Sequence, residues 1–258
     1  MSVLLHLRAH GPRVGLVALA LYAALPRIHL DTDSIGLLIE LCPLRYAHTT
    51  LLTVYPVDPD TAIVFPKTIS VPSQFKTPPL SLVGLGVRTV SFLGIKVYSI
   101  GFYADLSSPN LNIPLNMPPD EKINHIVRNT ACLLRIVPTR TTSYTHLRDA
   151  FMRALHARLA RDQAAGTLSD TDALAVAGPL RALKTLFPNS PLAKHFPLDV
   201  YAPAPVPGQP RPLIFRDLGA VQSSWVATEL LLHYFDGKGA SPPLKNTTVA
   251  RLESFQTT

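Results

Sequence analysis

The sequence predicts an α+β fold in which helices cover one face of a large antiparallel sheet. Two consecutive runs, residues 78–92 and 95–106, are dominated by β-branched, aromatic and other apolar residues, as strands are. Residues 143–166 carry apolar side chains at helical spacing. The predicted order is strands, helix, strand, helices, hairpin and helices. This grouping is typical of an antiparallel sheet with helices layered on it.

The first 30 residues contain arginines but no acidic residue, which is typical of a mitochondrial targeting segment. A secretory signal is the alternative, because residues 14–25 form an apolar run. That run is shorter than the roughly 20 residues that span a bilayer, so membrane association would be through a short anchor with flanking residues. We therefore expect a mitochondrial targeting segment with such an anchor at 1–30, a linker at 31–60 and a folded domain at 61–258. The inner membrane and the intermembrane space are the compartments that we expect.

The first half of the folded domain is predicted to contain three strands and a helix after an initial strand at 61–69, which Pro66 interrupts. The two long runs form a hairpin that turns at Leu93–Gly94. A helix begins at Pro118–Pro119, where proline is tolerated in the first turn and the acidic residues that follow favour a helix N-terminus. Residues 131–140 form the third strand.

The second half is predicted to be mostly helical. A helix covers residues 143–166, and Gly166 closes it. A second helix begins at Ser169 or Asp170 and ends at Pro188, and Pro179 should kink it or split it. Residues 195–219 are predicted to form a hairpin of two short strands around a proline-rich connection, and helices follow at 220–237 and 241–255.

Several classes of function lack their usual sequence signals. The formal net charge is +7, but the basic residues are scattered and are not interleaved with aromatic residues, so we expect no nucleic-acid partner. The two cysteines lie far apart, and neither HExxH nor GxSxG occurs. The carboxylates of the predicted helices, among them Asp149 and Asp162, are typical of helix surfaces and caps. We therefore expect no metal site and no catalytic residues.

The remaining candidates for a functional site are arginines and tyrosines on apolar elements. Arg88 and Tyr98 lie on the predicted hairpin, Arg135 and Arg140 on or after the third strand, and Tyr144 at a helix start. A buried cation must be paired. A sheet face with guanidinium and phenol groups suits an apolar ligand that carries a carboxylate. The alternative is that these arginines pair with acidic residues at the sheet edge or extend into solvent.

The shared pocket depends on the register of the predicted hairpin. Side chains alternate between the faces of a strand, so Arg88 and Tyr98 share a face only if paired residue numbers have an even sum. A three-residue turn at Leu93–Ile95 would give that register, for example by pairing Val90 with Tyr98. A two-residue turn would place Arg88 and Tyr98 on opposite faces, unless a β-bulge resets the register.

The hairpin sequence resembles the chalcone isomerase family, in which a G-x-R strand leads to a K-x-[TY]-x-I-G-x-Y strand. The similarity continues through residues 133–155 and 219–245, and it covers about residues 65–252. Together with the N-terminal segment, it is strongest to the fungal mitochondrial members, which are named for altered inheritance of mitochondria. The resemblance implies an open-faced β-sandwich, with a ligand cleft between a large antiparallel sheet and its helices.

The resemblance also implies a set of site residues. The arginine of the first strand matches Arg88, and the threonine position of the second strand is Tyr98. The helix tyrosine matches Tyr144, and the asparagine seven residues later is replaced by Phe151. Arg140 resembles the second arginine of the ligand-binding members.

Two of the polar groups that the enzymes use are therefore altered, so we expect a non-catalytic protein that binds an apolar anion in the cleft. The resemblance implies a fatty acid or haem as that ligand. One alternative is an intramolecular lyase that performs a chalcone isomerase-type cyclisation on an unidentified substrate, with Arg88 stabilising an enolate or phenolate. The other is a structural protein of the inner membrane.

Overall fold

The computed structural model describes residues 56–71, 79–90 and 93–257. The targeting segment expected at 1–30 and most of the expected linker lie outside these residues. The described residues form nine strands, which are β1 Thr68–Ile69, β2 Leu80–Val90, β3 Ile95–Ala104, β4 Cys132–Pro138, β5 Thr142–Ser143, β6 Pro191–Leu192, β7 Leu198–Ala202, β8 Pro212–Phe215 and β9 Gly219–Gln222. They also form five helices, which are α1 Pro119–Asn129, α2 Tyr144–Ala164, α3 Asp170–Leu186, α4 Ser224–Leu232 and α5 Pro242–Leu252.

One large sheet organises the fold. Its seven strands follow the order β1-β2-β3-β4-β7-β8-β9, and β5 pairs separately with β6. Every neighbouring pair is antiparallel. The α+β prediction with a large antiparallel sheet is therefore confirmed, as are the long hairpin β2–β3 and the short hairpin β7–β8.

The two faces of the sheet bury different partners. The face that carries Tyr98, Ile100 and Phe102 packs against the helices and holds the larger core. We call it the helix face. The opposite face, which we call the outer face, holds a smaller core with Tyr103 and Leu133, and Phe65 lies over it.

Residues ahead of the expected domain boundary at Thr61 already contact the outer face. The carboxylate of Asp58 is fully buried. It accepts hydrogen bonds from Ser99 Oγ at 2.5 Å and from Thr61 Oγ1 at 2.8 Å. Since a buried carboxylate needs such donors, Asp58 fastens residues 56–61 to strand β3.

Two local predictions about the helices can be compared with the structure. Helix α3 begins at Asp170 after a Ser169 cap, as predicted, and it is a single helix through Pro179, so of the two expected effects of this proline the split is wrong. Residues 219–222 form the edge strand β9 rather than the start of a helix, and α4 begins only at Ser224, where the Ser223 hydroxyl accepts from Val226 N. The serine cap sets the point at which the chain changes from strand to helix.

Helix α5 lies directly on two glycines of β2. A Cβ atom at Gly86 would lie 2.2 Å from the backbone nitrogen of Leu244, and one at Gly84 would lie 1.9 Å from Thr248 Oγ1. The Ser241 hydroxyl caps α5 and also donates to Val87 O at 2.7 Å. The absence of side chains at these two glycines therefore lets α5 lie on β2, with its first turn beside Arg88.

Replacing Gly86 with alanine is expected to lower the free energy of unfolding by about 3 kcal/mol, because the new methyl group meets helix backbone that cannot move aside alone. Chemical denaturation of the purified protein measures the change. Thr89→Val, at an exposed position of the same strand, is the control and should shift stability by less than about 0.5 kcal/mol. Equal effects of the two substitutions would contradict the close contact between β2 and α5.

Within the part of the chain that the structure describes, no helix combines the length and the apolar character that crossing a membrane requires.

Candidate functional site

Arg88 and Tyr98 lie directly opposite each other on β2 and β3. The turn is not the three-residue loop that would by itself place both side chains on one face, because Val90 pairs with Ile95. That register alone would place the two side chains on opposite faces. A bulge between Arg88 and Thr89 shifts the register, so that Arg88 and Tyr98 share the helix face.

The Arg88 guanidinium uses little of its hydrogen-bonding capacity. Arg88 is half-buried, and its Nη1 donates to the backbone oxygen of Ala240 at 2.8 Å. A guanidinium has five N–H donors. Among the described residues this is its sole hydrogen bond, and no carboxylate pairs with it. The remaining donors are available to an anion.

The hydroxyl of Tyr98 is paired with the hydroxyl of Tyr234, which follows α4. The two oxygens lie 2.9 Å apart, and both side chains are buried. One hydroxyl donates to the other, so the proton of the accepting hydroxyl has no acceptor among the described residues. Burial raises the pKa of both phenols. The pair is therefore neutral and holds one unused O–H donor beside Arg88.

His233 adds a neutral imidazole to this end of the sheet. Burial, together with the charges of Arg88 and Arg158, lowers its pKa to about 4. Its ring lies against that of Tyr234, with centroids 5.6 Å apart.

Acidification should test the environment of His233. In the unfolded chain its pKa is about 6.5. The unfolded state therefore binds more protons between pH 6.5 and pH 4, and stability falls as pH decreases through that window. Urea denaturation at pH 7.5 and pH 5 should show a smaller loss for His233→Asn than for the native sequence. An equal loss would contradict a half-buried, neutral imidazole.

The other residues predicted for the site are distributed over the helix layer and the surface. Tyr144 begins α2 and is half-buried, and burial followed by the charge of Asp217 raises its pKa. Phe151 is buried in the core, where its ring lies 6.0 Å from that of Phe187 and 6.1 Å from that of Phe215. Arg140 follows β4 and is exposed, and its guanidinium has no hydrogen bond or ion pair within the described ranges. Of the five residues predicted for the site, the two that the structure pairs directly are Arg88 and Tyr98.

Arg135 follows the alternative interpretation, in which a strand arginine pairs with an acid. It lies on the outer face and makes two hydrogen bonds to the Asp199 carboxylate, each 2.8 Å long. Asp199 also accepts from Arg216 at 2.9 Å. This guanidinium is committed to a cross-strand ion pair.

Tyr234 and His233 were not predicted from the sequence. They belong to an apolar run in which nearly every side chain of α4 is buried, so helical spacing does not distinguish one face from another. The only signal was the occurrence of two polar rings at the end of that run.

A second polar cluster lies between α1, α2 and α4. Arg158 is buried and donates to Glu229, and its Nη1 also donates to Asp236 at 2.6 Å. Arg161 donates to Asp162 and, at 2.9 Å, to Asp236. Asp162 is buried and accepts from the indole of Trp225, so its assignment to the helix surface was wrong.

These groups line a cleft of about 430 Å³. A smaller cleft of about 280 Å³ lies beside it, between α1 and the segment that follows α4. Neither of these two clefts is lined by any of the five residues predicted for the site. Within the described ranges, no group of three or more His, Cys, Asp or Glu side chains could hold a metal ion.

Comparison with known proteins supports the same fold. The family model described as "Chalcone isomerase like" matches residues 78–115 and 118–249. A solved structure of an Arabidopsis thaliana fatty-acid binding protein aligns with a TM-score of 0.56 at 20% identity, covering 78% of this chain and 100% of that chain. At that identity the likeness shows the fold.

Two curated fungal proteins are similar over part of their length. An uncharacterised protein of Schizosaccharomyces pombe is 33% identical over an alignment of 104 residues, and the match covers 33% of this chain and 40% of that protein. Altered inheritance of mitochondria protein 18, mitochondrial, of Eremothecium gossypii is 27% identical over an alignment of 135 residues, and the match covers 41% of this chain and 43% of that protein. The matches thus span less than half of each relative.

Proposed function

The chain belongs to the chalcone isomerase-like family, and from this premise we propose that it binds an apolar carboxylate without transforming it. Arg88 and the Tyr98–Tyr234 hydroxyl pair hold the carboxylate, and the helix face holds the hydrocarbon. The observation that carries the proposal is a guanidinium without a carboxylate partner among the described residues, beside a buried hydroxyl pair with one unused proton.

A carboxylate completes the hydrogen bonding of these groups. It accepts from the guanidinium and from the unused hydroxyl, and it supplies the negative charge that Arg88 lacks among the described residues. Such charge-assisted bonds are about twice as strong as those between neutral groups. Arg140 is exposed near the end of the neighbouring strand, and we propose it as a second, weaker contact.

The apolar part of the ligand would lie along β3. Ile100 and Phe102 follow Tyr98 on the same face and are fully buried, and the Phe102 ring lies 4.9 Å from that of Phe235. An acyl chain must therefore displace packed side chains. This close packing favours a thin, flexible chain, and the name of the Arabidopsis neighbour, a fatty-acid binding protein, supports the same choice.

Haem is the second candidate ligand, because a neutral histidine lies next to the proposed carboxylate site. Arg88 would hold a haem propionate, and His233 would offer its imidazole to the iron.

The packing of Phe151 supports a non-catalytic role. At the position where the enzymes of the family use asparagine, this chain has a phenyl ring packed against Phe187 and Phe215. That ring cannot hydrogen-bond a substrate oxygen. Cyclisation of a chalcone would have to rely on Arg88 and the tyrosines alone.

The location and domain organisation remain proposals. The name of the Eremothecium relative includes "mitochondrial". Together with the acid-free, arginine-bearing start of the chain, this supports a mitochondrial targeting segment at 1–30, a linker at 31–60 and the ligand-binding domain at 61–258. The membrane anchor within the first segment stays a prediction.

Native mass spectrometry and an absorption spectrum of the purified full chain test the proposal. We expect added mass that denaturation releases as fatty acids, whereas a Soret band lost in His233→Ala would identify haem. Arg88→Gln should reduce occupancy by about 10- to 100-fold. Arg153→Gln, which removes an exposed arginine of α2, should leave occupancy unchanged. Equal occupancy in both variants, or no bound ligand after incubation with fatty acids and haemin, would contradict the proposal.

A further inference from the structure

The segment Asp236–Ser241 connects the Tyr234 site to helix α5, and it is held at both ends by arginines. We call it the strap. At its first end, Asp236 Oδ2 accepts from Arg158 Nη1 at 2.6 Å and from Arg161 Nη1 at 2.9 Å. At its last end, Ala240 O accepts from Arg88 Nη1 at 2.8 Å.

We propose that the strap is a gate for the carboxylate site, closed by the Ala240 carbonyl and latched by Asp236. This inference rests on the proposed function, because it takes Arg88 to be the ligand-binding arginine. In the closed state Nη1 of Arg88 is occupied by an oxygen of the chain itself. An incoming carboxylate that binds through Nη1 and a neighbouring N–H competes with that oxygen for Nη1.

The competition favours the ligand at Arg88. The Ala240 carbonyl is a neutral acceptor, and a carboxylate makes stronger hydrogen bonds to a guanidinium. Release of Ala240 loosens the last end of the strap. The Ser241 hydroxyl still donates to Val87 O at 2.7 Å, so the start of α5 stays on the sheet.

Two glycines provide the points about which the strap can move, and opening must also release Gly237 O from Lys245 Nζ, which donates to it at 3.0 Å. Gly237 has φ 56° and Gly239 has φ 69°, a backbone region that glycine enters without strain. Gly237 has open space where a side chain would be, whereas a Cβ at Gly239 would lie 2.3 Å from Tyr234 O. The strap thus lies directly against the backbone of the tyrosine whose hydroxyl faces Tyr98.

Opening the strap would expose the polar and the apolar parts of the site together. Tyr234 and Phe235 immediately precede it, and they cover Tyr98 and Phe102 respectively. A gate at this position explains how a ligand reaches side chains that are buried in the closed structure.

The latch consists of the hydrogen bonds from Arg158 and Arg161 to Asp236. It can be weakened without changing Arg88. Asp236→Asn removes the charge that Arg158 and Arg161 share, while Arg158 keeps Glu229 and Arg161 keeps Asp162. Because only open molecules bind, the apparent affinity equals the affinity of the open state multiplied by the fraction of molecules that are open. Since partly exposed ion pairs contribute modestly, the variant should bind a long-chain fatty acid about 3- to 10-fold more tightly.

Hydrogen–deuterium exchange of the full chain, with and without palmitate, tests the gate together with the affinity measurement. We expect palmitate to speed exchange of the Gly237–Ala240 amides in the native sequence, and Asp236→Asn to speed it without ligand. Asp149→Asn removes a half-exposed acid that pairs with Arg148, and as the control it should change neither exchange nor affinity.

Palmitate binding with unchanged or slower strap exchange would overturn the gate alone. The same conclusion would follow if Asp236→Asn bound palmitate with native affinity. No binding of palmitate or of haemin by either protein would overturn the proposed function, and the gate with it.

Discussion

Replacing Arg158 with methionine is expected to lower the free energy of unfolding by about 3 to 5 kcal/mol, the largest effect predicted from the helix layer. Arg158 is buried, and it donates two hydrogen bonds to Glu229 and one to Asp236. Removing it leaves the Glu229 carboxylate, itself buried, with Arg128 and Arg161 at 3.6 Å in place of direct hydrogen bonds. A buried carboxylate that has lost its direct hydrogen bonds is costly.

The cause of that loss can be isolated with a second substitution. The double variant Arg158→Met, Glu229→Leu removes both charges and should recover most of the stability. Arg161→Met, one turn away and half-exposed, should cost less than about 1 kcal/mol. Urea denaturation of the four proteins measures these differences. A double variant as unstable as Arg158→Met would show that lost packing, rather than the unpaired carboxylate, is responsible.

Replacing Arg211 with methionine is expected to cost about 3 kcal/mol or more, for a different reason. Arg211 is 2% exposed. Its guanidinium donates to the carbonyls of Val127, Thr130, Pro203 and Ala202 at 2.6, 2.7, 2.7 and 3.4 Å. The first two end helix α1, where carbonyls lack partners within the helix. Each carbonyl left without a donor costs about 1 to 3 kcal/mol.

Arg216→Met provides the comparison for Arg211. Arg216 is partly exposed, and Asp199 keeps its two bonds to Arg135 when Arg216 is removed. Thermal unfolding should therefore change little for Arg216→Met and strongly for Arg211→Met. Similar shifts for both would contradict a structural role for the buried guanidinium.

The sequence predicted the hairpin β2–β3 because its residues have strong strand preferences, and it predicted α2 and α3 because their caps and apolar spacing are local signals. The register of the hairpin could not be predicted in the same way. It depends on a bulge beside Arg88, and no residue type there specifies a bulge. The pairing of Arg88 with Tyr98 follows from that one irregularity.

Long-range partners were the other source of error. Arg158 and Asp162 are charged, a property typical of a helix surface, but their spacing continues the buried stripe of α2, and α4 covers both. Tyr234 lies 136 residues from Tyr98, and within its own apolar run it looks like any core residue. Arg211 lies in a proline-rich connection, and its carbonyl partners come from distant elements. Such contacts depend on how elements pack, which a single sequence does not encode locally.

Recognition of a carboxylate by Arg88 and the tyrosine pair is tested most directly by discrimination between palmitate and hexadecanol. The two ligands share a hydrocarbon chain and differ in the group that Arg88 would contact. We predict that the full chain prefers palmitate by about 10- to 100-fold and that Arg88→Gln loses the preference while retaining the affinity for hexadecanol. Equal affinities of the native chain for both ligands, or a preference that survives in Arg88→Gln, would contradict carboxylate recognition by Arg88.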